Sequence, residues 1–314
     1  MFIDILLITA PVFLLLLVGV LAVRVRAFMP EMIPGAGRLV MNLLMPALIF
    51  RVLSGADTET VLELHLLLVY ALGSLSCFVL IFLLSRYVLG SGLTQSGLHG
   101  LGSATSNSAF FGLALLLQIN ESVALVTFSL ALIVENLLII PLGLALAESG
   151  SVGDEAASFV HRFMKIIRRV LLNPLIIAIF TGLMFSLFEL PVPELADKVL
   201  AMLAGAAAPL ALLTIGATLG SMRPGWPDRV FLLVGGGKLL LHPVMVWSMV
   251  LLLPAFDPAL QKAAVLMAAM PMFTLYAIIS AGYGHGERGS VVLLFTTLSS
   301  FVSINAVLWL LGPF

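Results

Sequence analysis

Apolar residues run along this chain in long blocks, separated by short stretches that carry proline, glycine or charge. Blocks of this length suit helices that cross hydrocarbon, which takes about 20 apolar residues each. Ten are predicted, at 3–23, 36–54, 62–88, 96–118, 122–147, 164–188, 196–221, 229–253, 258–281 and 290–312. The fourth block is unlike the rest. From Gly102 to Gly112 it reads GSATSNSAFFG, with Ser103, Thr105, Ser106, Asn107 and Ser108 crowded together. Either small residues pack this helix tightly, or it breaks here so that backbone and side chains can hold a solute.

Composition supports a polytopic membrane protein, since 61% of the 314 residues are hydrophobic and only 10% are charged. Soluble domains carry about 25% charge. A net charge of −1 gives a nucleic-acid partner no support. The lone Cys77 excludes a disulfide within the chain. Arg24 and Arg26 follow the first apolar block instead of preceding it, which is not the pattern of a cleavable signal peptide.

Basic residues set the expected orientation. Loops after the odd-numbered segments hold Arg24, Arg26, Arg38, Arg86, Arg162, Lys165, Arg168, Arg169, Arg223, Arg229 and Arg288. The opposite side holds Arg51, Lys198 and Lys262. Both termini are therefore expected to face outward, in a multi-pass protein of a bacterial inner membrane. A polar stretch at 149–163 reads as a cytoplasmic linker, and His161 to Arg169 as a positive-inside anchor.

The linker divides two halves, 1–148 and 164–314, that repeat each other. Displacing one along the other superimposes Pro11 on Pro174, Pro30 on Pro193 and Pro46 on Pro209. Gly19 then falls on Gly182, Gly73 on Gly236 and Phe110 on Phe273. Five helices per half force the second copy to enter the membrane upside down, a common plan of secondary transporters. The same displacement carries Ser108 onto Pro271, in the ninth block. Proline removes a backbone donor and disturbs the preceding turn, and interrupted helices at matching positions point to a binding site.

Several motifs in this order resemble the auxin efflux carrier family, which includes plant PIN proteins and bacterial relatives linked to malonate and other organic acids. They are MNLLMPALIF at Met41–Phe50, SNSAFFG at Ser106–Gly112, ENLLIIPLG at Glu135–Gly143, KLLLHP at Lys238–Pro243 and AMPMFTLY at Ala269–Tyr276. The resemblance covers nearly all of both halves. It implies ten transmembrane helices as two inverted repeats, with the first, second, sixth and seventh segments moving against the rest. It also implies that the fourth and ninth segments cross at their breaks. Asn107 matches the asparagine after the first break, which contributes to substrate binding in the plant carriers, and Pro271 matches the second break. Two departures stand out. Ser106 replaces a proline common before that asparagine, and Met272 replaces an amide that some relatives carry.

Asn107 is the leading substrate-binding candidate, because an amide both donates and accepts; helix–helix bonding is the competing role. Ser106, Ser108, Pro46, Pro271, Met272 and Thr274 complete the expected substrate site, with the carboxylate at the polar break and an apolar body beside Met272. A second group comprises Glu135, Lys238, Asn136 and His242. Isolated charges at mid-membrane cost about 2.5–3.5 kcal/mol each on insertion scales, so Glu135 and Lys238 need a role. Glu135 either couples a proton or cation, or pairs with Lys238. His242 either shuttles protons or is a satisfied neutral histidine. Asn136 and Asn42 either line the crossover or bond backbone freed by Pro141 and Pro46.

The expected function is secondary active transport of a small organic anion by alternating access, with no enzymatic activity, cofactor or metal. The expected partners are an organic acid, a proton or sodium ion for coupling, the lipid bilayer, and a second copy in a homodimer. Three alternatives compete. A sodium-coupled carrier of the bile-acid symporter type would bind its substrate only with sodium. An intramembrane enzyme would need paired catalytic groups, and the interior holds no aspartate pair. A membrane receptor or scaffold would usually bring a soluble signalling domain.

Overall fold

The structure, a computed structural model, describes residues 2–55, 63–150, 172–222 and 225–312. Among these residues the regular elements are helices, and the only strand-like pairing is one antiparallel bridge between Ser106 and Met272. In order they are α1 (Phe2–Arg24), α2 (Pro30–Leu53), α3 (Leu64–Val88), α4 (Leu93–Ala104), the single turn α5 (Leu113–Leu116) and α6 (Glu121–Gly150). Then come α7 (Pro174–Leu187), α8 (Glu194–Ser221), α9 (Arg229–Leu252), α10 (Pro258–Ala268), α11 (Tyr276–Gly282) and α12 (Gly286–Leu311). Seven of them, α1, α2, α3, α6, α8, α9 and α12, are long and apolar enough to cross a bilayer.

As expected from the polar patch and from Pro271, blocks 96–118 and 258–281 are interrupted, as α4 and α5 and as α10 and α11. The block expected at 164–188 is described only over Pro174–Leu187. Residues 149 and 150 close α6, and 151–163 of the linker lie outside the described residues, as does the stretch from His161 to Arg169. The second and last helices start earlier than their apolar blocks, at Pro30 and Gly286.

Helix starts follow from local chemistry. Asn120, Asn173, Asp228 and Asp257 each accept a backbone N–H from the first turn of the helix that follows. These caps satisfy donors that a helix start leaves open. Proline stands directly after two of them, at Pro174 and Pro258, where its missing N–H costs nothing.

Five π turns widen the described helices, at Val40–Leu44, Leu84–Val88, Ser108–Gly112, Glu135–Ile139 and Gly237–Leu241. Three of them end two residues before a proline: Pro46, Pro141 and Pro243. A proline ring collides with the carbonyl four residues back. Widening the turn moves that carbonyl aside, and the residue before each proline bonds five residues back, as Ile140 N–H does to Glu135 O.

The helices pack as two groups. α1 lies along α8, while α2 lies against α7 and α8. The first contact depends on Gly19 and Gly216, because a methyl group on either would overlap the facing backbone at Leu213 or Leu16. In the second group α3 packs on α4 and α9, α4 on α6, α6 on α10, and α11 on α12.

Candidate functional site

The two interrupted helices meet at their breaks. α4 ends at Ala104, and Thr105 turns the chain into an extended conformation with its hydroxyl bonded back to Leu101 O at 2.7 Å. Small hydroxyl side chains offer such local bonds in competition with helix. The helix resumes only after Asn107, whose carbonyl accepts from both Phe111 N–H and Gly112 N–H. On the other side α10 stops at Ala268 and α11 begins at Tyr276, with Pro271 between them. Asn107 N–H donates to Pro271 O at 2.8 Å, so backbone groups released by one break are partly satisfied by the other. The Asn107 amide reinforces this crossing by donating to Thr274 Oγ1 at 3.1 Å. Gly112 allows close approach, since a Cβ there would lie 2.5 Å from Met267 Sδ.

Glu135 and Lys238 flank the crossing without forming a direct ion pair. Ser106 stands between them: its backbone N–H donates to Glu135 Oε1 at 2.9 Å and its hydroxyl accepts from Lys238 Nζ at 2.6 Å. Lys238, fully buried, also donates to Ala268 O at 2.9 Å and His242 Nδ1 at 2.7 Å. An ammonium has three protons, and this one has three acceptors. With Lys238 an ammonium that donates to Nδ1, the proton of His242 is on Nε2, 2.9 Å from Ser74 Oγ. The cation sits at the carboxyl end of α10, and the carboxylate sits where the helix restarts after Asn107. Each charge is at the end of a helix dipole that favours it.

Glu135 is held differently from Lys238. Its Oε1 accepts from Tyr70 OH, Ser106 N–H and Ser108 Oγ, each at 2.9 Å, while Oε2 has only the same Ser108 hydroxyl at 3.0 Å. One hydroxyl proton cannot serve both oxygens fully, so Oε2 keeps spare accepting capacity. Glu135 also belongs to the wall of a cavity of about 560 Å³, which Lys238 and His242 do not reach.

This cavity lies between the two helix groups. One wall comes from Arg38, Met41 and Asn42 of α2, Asn173 and Leu175 at α7, and Thr214 and Thr218 of α8. The facing wall holds Ser106 to Phe110, Glu135 and Asn136 of α6, and Phe273 to Leu275 beside the second break. Of the substrate-binding candidates, Asn107, Ser106, Ser108 and Thr274 line it. Pro46, Pro271 and Met272 do not; Met272 is fully buried, with its methyl group beside Gly102. The apolar part of the wall comes instead from residues such as Phe273, Leu275 and Ile278. Asn136 and Asn42 both line the cavity, and the Asn136 amide donates to Leu132 O rather than to the carbonyl that Pro141 leaves open.

Three contributors were not singled out by sequence reasoning. Tyr70 and Ser74 serve Glu135 and His242. With Cys77 they fall at helical spacing along the mostly apolar α3, and that spacing is the signal that marks them. Arg38 had been counted only as a loop charge, and nothing in its local sequence tells which way it faces.

Seven bilayer-length helices among the described residues make this a multi-pass membrane protein, with a cavity between its two helix groups. Residues 5–309 match the family model described as membrane transport protein. The chain belongs to this family, that of the auxin efflux carriers. Over 306 residues it is 29% identical to the "Putative malonate transporter" of Rhizobium meliloti (strain 1021), covering 96% of this chain and 94% of that one. Over 248 residues it is 32% identical to an "Uncharacterized transporter" of Methanothermobacter thermautotrophicus, covering 77% of each.

Proposed function

We propose that this protein is a secondary active transporter of small organic anions that works by alternating access around the crossing of the two breaks. The observation that carries the reading is the cavity, which ends on Asn107 and Thr274 at that crossing and lies between two separately packed helix groups. Rocking of the group α1, α2, α7 and α8 against the rest would expose the crossing to one side and then the other. The malonate name borne by one relative supports a carboxylate as cargo.

The ten-segment inverted repeat belongs to this proposal. Its support is the matched packing of Gly19 and Gly182: Gly19 seats α1 on α8, and Gly182 seats α7 on Phe50 and Leu53 of α2. These are equivalent contacts if the halves correspond. With both termini outward in an inner membrane, Arg38, Asn173 and Met222 of the cavity lining belong to helix ends on the basic, cytoplasmic side.

Glu135 is the proposed proton-coupling residue. It faces the cavity, retains an under-used oxygen, and is separated from Lys238 by Ser106. Protonating it removes negative charge from the cavity, so anion binding strengthens as pH falls. The sodium-coupled alternative is disfavoured by Lys238, whose ammonium already takes the Ala268 carbonyl and the Ser106 hydroxyl that a bound cation would use.

Thermal-shift screening of the purified protein against carboxylates and organic cations tests the reading. A carboxylate hit that weakens about tenfold or more in Asn107→Ala is expected, since lost charge-assisted hydrogen bonds are worth about 1.5–3 kcal/mol. A preference for cations, or full carboxylate affinity in that variant, would refute it.

A further inference from the structure

Among the described residues that line the cavity, Arg38 is the only cation and Glu135 the only anion. Glu135 is occupied by the crossing, as described above. Arg38 makes no hydrogen bond or ion pair with the described residues, although Arg51 is held by Asp197 at 2.7 Å and Arg86 by Ser91 O at 2.9 Å. One turn further along α2, Asn42 also lines the cavity, and its amide is likewise unpartnered. The neighbouring amides are engaged: Asn136 donates to Leu132 O, and Asn173 accepts the first N–H of α7. Of the polar side chains on this wall, Arg38 and Asn42 are the ones with no hydrogen bond to the described residues, and they belong to the helix group opposite Asn107.

We infer that Arg38, assisted by Asn42, is the residue that selects dicarboxylates, binding one carboxylate while the crossing at Asn107 holds the other. This deepens the carboxylate reading above and rests on it. A guanidinium presents paired N–H donors that match a carboxylate in two-pronged fashion, which an amide or a lysine cannot reproduce. The two anchor points stand on the two helix groups, so a dianion spans both, whereas a monocarboxylate of the same length satisfies only one. The cavity has ample room for such a molecule and accompanying water. Sequence topology gives Arg38 a second role as a positive-inside anchor, and the test must separate the two.

Arg229 supplies the control: it is exposed, has no partner among the described residues, carries the same inside-facing charge by sequence, and does not line the cavity. Titration calorimetry on the purified full chain would use malonate and propionate, which share a three-carbon skeleton but differ by one carboxylate. Wild type should prefer malonate. The preference should fall about tenfold or more in Arg38→Gln, fall less in Arg38→Lys, and persist in Arg229→Gln. Melting of each variant without ligand verifies that it folds. Equal affinity for the two acids in wild type, or an undiminished malonate preference in folded Arg38→Gln, would overturn the assignment while leaving carboxylate transport standing. Failure of every carboxylate to bind wild type would instead remove the transport reading on which it rests.

Discussion

Lys238 shows how one buried charge can organise a membrane site without forming an ion pair. Its three protons tie a hydroxyl on the first break, the last carbonyl of α10 and a histidine on its own helix. Lys238→Met would leave Ser106 Oγ, Ala268 O and His242 Nδ1 without that donor, and each buried polar group left unsatisfied costs about 1–3 kcal/mol. The variant is expected to melt well below wild type and lose ligand binding; melting within a degree or two of wild type would remove the clamp role (a shift that size is about 1 kcal/mol). Asn107, Glu135, Lys238 and His242 were legible in the sequence because polar groups inside apolar blocks need partners. What could not be read was which partners they choose. Sequence reasoning offered direct pairing of Glu135 with Lys238 as one option, and the geometry inserts Ser106 between them, a relation set by where α4 breaks. Arg38 was passed over for the opposite reason: charge at a helix end has a sufficient topological explanation, so its place in the cavity wall is visible only once α2 is packed.

Helices here are interrupted by two distinct means. Prolines at 46, 141 and 243 widen continuous helices into π turns. The crossing uses real breaks, made by small hydroxyl residues between α4 and α5 and by Pro271 between α10 and α11. The π turns hold Glu135 as the first residue of one widened segment and Lys238 as the second residue of another. Periodicity alone located the blocks but could not distinguish α4 and α5, or α10 and α11, from unbroken helices. The contact between α1 and α8 gives the element scale its own test. Gly216→Leu would force side-chain atoms into the Leu16 backbone. Overpacking of this kind costs about 1–3 kcal/mol or more, seen as a lowered melting temperature, whereas Gly205→Leu, on the same helix with open space around it, should melt like wild type. Equal melting of the two variants would contradict the tight α1–α8 seam.

For the molecule as a whole, the division into two helix groups follows from contacts, and the cavity lies along their boundary. The sequence repeat proposes equivalent helices, and under that proposal the glycines at 19 and 182 are matched close-packing points. The cavity itself was not legible, because its walls come from residues far apart in the chain. Net movement of cargo is what these parts together are proposed to accomplish. Uptake of labelled malonate into proteoliposomes under an imposed proton gradient is therefore the most direct measurement. The account predicts accumulation by wild type above the level reached without the gradient, and loss of that extra accumulation in Glu135→Gln. Uptake no faster than in protein-free liposomes, for malonate and other small carboxylates alike, would contradict it.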